Sequence, residues 1–444
     1  MDRTTELYLE ECRTPGSRLR HAVADADLPP VLTRVSGHRL LPRPLFVSQR
    51  ELRSFERDVD ALFDVLVSLP ARLFDGDHAR FHAALGVGAR ESALLSRLGA
   101  STPPRYGRTD MYHDGDGFKL LEFNIVSQVG GVDRAGRLPS ALMDVPAFAE
   151  FAVAHRLRFT DTGREVAETL RAAGLTVTHG SEPVVAVVEA PGELDLYRYS
   201  WEPFQELMHG WGLDVRLGEL HDLDVRDSGV FLACEPDTPR VDVLLRAFGI
   251  DQVCAAPESE SQLERVVRAH QDGRVVLWTP MGGELYGNKG CLALLHDPAF
   301  HGAFSVAERA LIDRLVPWTG AVDGRVDAYA LSHREELVLK PNGGTGGTGV
   351  VAGWQLSDEA WAAALASARR SGAVVQRRVV PRTEPVVDPA DGQVTDWHAV
   401  LGMYITPSGQ AGCNARALPA EQAVVIGNGA SPDTRTAAVF VVAD

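Results

Sequence analysis

Between residues 46 and 98 apolar side chains return every three or four positions, most regularly in "FERDVDALFDVLVSLPARLF", and that period predicts helix. The pattern then changes. In "GRTDMYHDGDGFKLLEFN", residues 107–124, two short β-like runs flank an Asp/Gly-rich turn, the signature of a hairpin. Side chains alternate across a strand, so Glu122 and Asn124 share one face while Leu121, Phe123 and Ile125 are expected to pack on the other. Closing the hairpin sets Asp110 beside Glu122.

From about residue 182 strand-like and helix-like runs alternate: "PVVAVVEA", "SWEPFQELMHGWG", "LDVRLGEL", "SGVFLACEP", "VDVLLRAFG" and "GRVVLWTP". Such alternation predicts a doubly wound parallel sheet. Helices follow at "NKGCLALLHD" and "SVAERALIDRLV". Next comes a strand–glycine loop–strand unit, "ELVLKPNGGTGGTGVVAGW", then a helix, "SDEAWAAALASARRSG", and a strand, "AVVQRRVV". "PRTEPVVDPADGQ" reads as a mobile loop. The fold class is mixed α/β. Four units are expected: 1–150, helical with the hairpin; 151–284, Rossmann-like; 285–380, with the glycine loop; and 381–444, a return to the core.

A chain of 444 residues, 45% hydrophobic and 23% charged, is long enough for two or three packed units. Its formal charge of −16 argues against a nucleic-acid surface and favours neutral or cationic small partners. Five scattered cysteines form no C-x-x-C pair, which fits free thiols in a reducing cytoplasm. No apolar run approaches the ~20 residues of a membrane span, and the polar start does not resemble a leader.

Two carboxylates and a carboxamide on one polar face, with Arg108 two residues from Asp110, require a cation between the like charges. Oxygen ligands of this kind suit Mg²⁺ held against substrate phosphates, so Asp110, Glu122 and Asn124 are the metal candidates. A solvated sheet face with a plain Arg–Asp pair is the alternative. Gly343, Gly344, Thr345, Gly346, Gly347 and Thr348 open a run whose bare N–H groups can approach a phosphate, while a strand on each side excludes a Walker loop. A flexible flap results. Lys340 ends the strand before it, and Lys289 heads a helix, where a lone Lys is more often solvated but a bound phosphate better explains its charge against the macrodipole. Gln376 lies on a strand where backbone groups can meet a purine edge, and Arg416, Asn428 and Ser431 stand in polar C-terminal segments.

Together, "RTDMY…LLEFN", "NKGCLALL" and "VLKPNGGTGGTG" resemble the circularly permuted ATP-grasp ligases, typified by the synthetase half of glutathionylspermidine synthetase. Order carries the resemblance: the acid and Asn precede the lysines here, whereas in ordinary ATP-grasp enzymes they follow. It spans roughly residues 100 to 430. It implies an ATP-grasp fold in permuted order beside a Rossmann-like sheet. It also implies an ADP-forming carboxylate–amine ligase of specialised metabolism, using ATP and two Mg²⁺. Arg108 and Arg416 are then the catalytic candidates. The related synthetase has an Asp-Thr-Pro-Thr type sequence after its Asn, where this chain has "IVSQVGG". Ser127 and Gln128, with Arg246, are therefore the candidates for recognising a substrate of its own. A nucleotide-binding protein without turnover and a phosphotransferase that stops at a phosphorylated product are the alternatives. Small carboxylate and amine substrates are the expected partners; the oligomeric state is open, a homodimer being one option.

Overall fold

The computed structural model describes residues 2–29, 32, 39–100, 102–178, 180–344, 347–422, 426 and 431–443. Its longest helix, Gln49–Phe74, starts at Ser48, whose hydroxyl accepts the Glu51 N–H at 3.3 Å. Leu45–Ser48, which overlaps the start of the stretch expected to be helical, instead forms a strand parallel to Val439–Val442. A four-residue apolar run fits either period, and pairing with the far end of the chain decides it.

The hairpin forms as read, with strands Gly107–His113 and Phe118–Asn124 and with Asp110 directly opposite Glu122. Its apolar face packs on the long helix: Phe118 meets the Phe55 ring at 5.5 Å and Phe123 meets Phe63 at 6.1 Å. One expectation fails. The register shifts between Asp110 and Met111, so that Met111 pairs with Leu120 and Leu121 is the extra residue of a bulge. Leu121 therefore faces the same side as Glu122 and not the side of Phe123.

The hairpin is the edge of a six-stranded antiparallel sheet built with the end of the chain. Val394–Thr406 pairs with Gly107–His113 on one side and with Gly409–Pro419 on the other. Within "PRTEPVVDPADGQ", expected to be a loop, Thr383–Val387 is a strand paired with Val394–Thr406. Pro385 lies in an outer strand, where a missing N–H is tolerated.

The parallel sheet exists, in the order Val276–Trp278, Val243–Arg246, Val184–Glu189, Asp214–Glu219. "SGVFLACEP" does not join it. Gly229–Leu232 turns back antiparallel on Leu223–Arg226 in a small separate sheet, because the turn between them is too short for a crossover. A further antiparallel sheet orders Thr319–Ala321, Ala373–Arg377, Leu337–Pro341 and Val351–Ala352, and the glycine run joins the last two strands. Helix Asp358–Ser371 covers it through the fully buried Trp361. Among the described residues no helix is long and apolar enough to cross a membrane.

Candidate functional site

A cavity of about 660 Å³ opens between the hairpin sheet, the glycine-loop sheet and the C-terminal ends of the parallel strands. Ligands of doubly wound sheets bind at that end of the strands. Residues far apart in the chain meet there: Arg108, Asp110, Glu122, Asn124, Lys289, Lys340, Gln376 and Arg416 all line it.

Asp110 sits at the centre of the polar face. Arg108 donates to it from Nε at 2.7 Å and from Nη2 at 3.0 Å, and Arg416 adds Nη2 at 3.1 Å. Burial alone would raise the carboxyl, but the two guanidiniums hold it down at about 2. Arg108 is fixed at its other end by the Gly130 carbonyl, 2.7 Å away, which also accepts from Tyr404 Oη at 2.8 Å. The middle strand makes room for this through Gly402: a Cβ there would meet Arg108 Cδ at 2.8 Å and run into the Asn414 amide.

Glu122, facing Asp110 across the hairpin, carries its own cation, with Lys289 Nζ at 2.9 Å. The cation expected between the two acids is thus supplied first by the protein itself, as two arginines on Asp110 and a lysine on Glu122. Lys289 is the first residue of helix Lys289–His296, whose cap is the Asn288 side chain on Gly290 N. Lys340 reaches in from the next strand, donating to Gln376 Oε1 at 2.5 Å and to the Leu121 carbonyl at 3.4 Å. The bulge at Leu121 turns that carbonyl to the lysine. Burial pushes Lys340 down to about 8, with Lys289 acting in the same direction and Glu122 and Asp110 against it. Gln376, which lines the cavity, accepts from Lys340 and donates from Nε2 to Thr319 Oγ1 at 3.2 Å and to the Leu121 carbonyl at 3.4 Å.

Gly343, Gly344, Gly347 and Thr348 line the cavity mouth, while Thr345 and Gly346 lie outside the described residues, as does Asn428. Ser127 lines the cavity too, but its Oγ is held by Thr279, accepting that residue's N–H at 2.8 Å; Gln128 is exposed in the wall. Arg246 does not line the cavity: its guanidinium is turned to the Thr279 carbonyl and to Glu284. Ser431 accepts from Asp433 N in a turn.

Several lining residues escaped the sequence reading. Asn414 stands two before Arg416, hence on the same face of the strand, and donates to Tyr404 Oη at 2.7 Å. Glu189 closes the apolar run "PVVAVVEA" at the ligand end of a parallel strand, a position that could have marked it. Asp133 and Arg134 follow the two-glycine turn and carried no signal.

The donor set fits a hard divalent cation. Asn124 Nδ2 donates to the Arg108 carbonyl at 3.3 Å, leaving Oδ1 as the acceptor beside Glu122. Among the described residues no group of three or more His, Cys, Asp or Glu could hold a metal alone. An ion held here would draw its remaining ligands from phosphate and water, the usual way of holding Mg²⁺.

A family model described as a circularly permuted ATPgrasp matches residues 140–375, more than half of the chain. The match covers Lys289 and Lys340 but starts after the hairpin. An uncharacterized protein of Mycobacterium tuberculosis is 28% identical over 255 residues, 56% of this chain and 43% of that protein. One of Mycobacterium leprae is 27% identical over 263 residues, 57% of this chain and 44% of it. The chain thus spans less than half the length of the curated relatives it matches. Among solved structures, the apoform of a glutathione synthetase like-effector from Globodera pallida superposes with a TM-score of 0.56 at 14% identity, over 100% of this chain and 98% of that one. That likeness is one of fold.

Proposed function

The chain belongs to the circularly permuted ATP-grasp family, and from that premise we propose that it is an ATP-dependent, ADP-forming carboxylate–amine ligase. The observation that carries the reading is the meeting of Lys289 and Lys340 with the Asp110–Glu122–Asn124 face in one cavity under the glycine loop. Such a constellation can hold a triphosphate, and phosphoryl transfer needs mainly positioning and neutralised charge.

Lys340 and Lys289 bind phosphate oxygens, and Lys289 leaves Glu122 to do so. Glu122, Asn124 and Asp110 would hold the ions, two in number by family resemblance. Bound Mg²⁺ supplies charge neutralisation along the phosphates. Arg108, kept charged and aimed by Asp110, faces the phosphoryl group in transfer, and Arg416 buttresses the same carboxylate. A substrate carboxylate oxygen bonds to the γ-phosphorus and ADP leaves. The amine nitrogen then attacks the acyl carbon, phosphate departs, and the nitrogen loses a proton to give the amide. Residues 343–344 and 347–349 close over the phosphates and keep water from the acyl phosphate. Gln128 contributes to substrate choice. Ser127 positions the wall through Thr279, and Arg246 acts at most through its neighbours. For the chain's division we propose the four units given above, with the first break moved beyond helix Pro146–Ala154, which residue 150 would cut.

Melting curves test the site. Wild type gains stability with Mg-ATP, and Glu122→Gln loses that gain together with turnover. A variant that keeps the full shift and its activity refutes the assignment of Glu122.

A further inference from the structure

Four carboxylates line the cavity: Asp110, Glu122, Asp133 and Glu189. Three have a cation beside them, namely Arg108 with Arg416, Lys289, and Arg134 at 3.5 Å. Among the described residues Glu189 has none. It is only 2% exposed, its Oε1 accepts from Trp201 Nε1 at 2.5 Å, and its Oε2 has no hydrogen-bond partner. An uncompensated buried carboxylate is expensive to keep, and burial accordingly raises this one to about 7. Its nearest ionisable neighbours, Glu193 and Glu219, are acids too, each tied elsewhere: Glu193 to the Gln252 amide and Glu219 to the N–H groups of Gly192 and Leu194. Glu189 thus borders the cavity with acids and, among the described residues, no cation as its neighbours.

Aromatic rings line the same cavity, one of them bonded to the acid. Helix Leu194–Gly210 contributes Trp201 and, at its first turns, Tyr197 and Tyr199, which line the cavity although 43% and 66% exposed. Trp201 is bonded to Glu189 and the two tyrosines line the cavity with them; aromatic rings together with a buried acid are the combination that binds organic cations.

We propose that Glu189, Trp201, Tyr197 and Tyr199 form a subsite for a cationic amine, in which an ammonium group donates to Glu189 Oε2 and the attached carbon chain lies against the rings. Resting on the ligase reading above, this identifies the amine substrate's class as one carrying a positive charge when bound. The lone acid then gains the partner it lacks, and the subsite lies on the parallel sheet, apart from the phosphate-binding lysines.

The probes are 1,4-diaminobutane and its matched neutral and anionic analogues, 1,4-butanediol and succinate, followed by thermal shift and titration calorimetry at 0.15 M salt, where diffuse attraction is screened. The diamine raises the wild-type Tm, and its Kd weakens at least tenfold in Glu189→Gln and several-fold in Tyr199→Ala, whose exposed position does not threaten folding. The diol and succinate give no Glu189-dependent shift. Equal diamine binding by wild type and Glu189→Gln, or none by wild type, overturns the subsite while leaving the Mg-ATP shift intact. Loss of the Mg-ATP shift in wild type instead strikes the ligase reading itself.

Discussion

Lys340 enters a water-poor pocket with a second lysine nearby, and its ammonium is correspondingly disfavoured. Its folded pKa of about 8 lies below the ordinary 10.5, so the unfolded chain binds more protons between those values. The resulting penalty is fully present below about pH 8 and fades as pH rises toward 10.5. A bound phosphate favours the charged form and lifts the pKa again. Mg-ATP binding at pH 8.5 is therefore accompanied by proton uptake, and affinity falls as pH rises through 8. Calorimetry in buffers of different ionisation enthalpy reads this directly; a heat that ignores the buffer contradicts it. Asp110 makes the opposite case, a carboxylate held by two guanidiniums that are themselves largely buried. Asp110→Asn strands both, which by the behaviour of broken buried pairs costs about 2–4 kcal/mol of stability without nucleotide. A Tm that stays level or rises would mean that Asp110 and Glu122 repel one another in the empty protein, as their residue types alone suggested.

At the scale of elements, the hairpin was readable because both its turn chemistry and its alternation are local. Its bulge was not, since the register shift at Leu121 depends on how Gly107–His113 lies between Phe118–Asn124 and Val394–Thr406. The same holds for Leu45–Ser48 and Thr383–Val387, short runs whose strand identity comes from partners hundreds of residues or one turn away. Gly402 belongs to the same class of long-range fact. It sits opposite Asp110 in the register, and only the packed sheet reveals that Arg108 and Asn414 occupy the space of its absent side chain. Gly402→Ala costs about 1–3 kcal/mol through overpacking and lowers turnover more than its stability loss explains, because Arg108 must move. A variant with wild-type turnover shows that the guanidinium tolerates displacement. The glycine loop adds a kinetic expectation: Mg-ATP slows amide exchange at residues 343–344 and 347–349, and unchanged exchange rules out closure of the flap.

For the whole molecule, the permuted order of motifs was legible in the linear sequence, and the structure explains how it works. The last third of the chain threads Val394–Thr406 and Gly409–Pro419 beside the early hairpin, bringing Arg416 onto Asp110 across 306 residues. Glu189 stayed hidden for a different reason. Its place at the ligand end of a strand was readable, but only the cavity shows it without a counter-ion among the described residues. On the proposed ligase reading, the cavity brings a triphosphate, from the lysines and hairpin, against an acid and an amine at the parallel sheet. ADP release measured with pooled carboxylates and amines, with the products weighed by mass spectrometry, examines that directly. The expected result is ADP formation that requires both pools and Mg²⁺, stoichiometric with a product whose mass is the sum of one acid and one amine less one water, and absent in Glu122→Gln. ADP released with a phosphorylated product, or with no new amide mass from any pair, would contradict it.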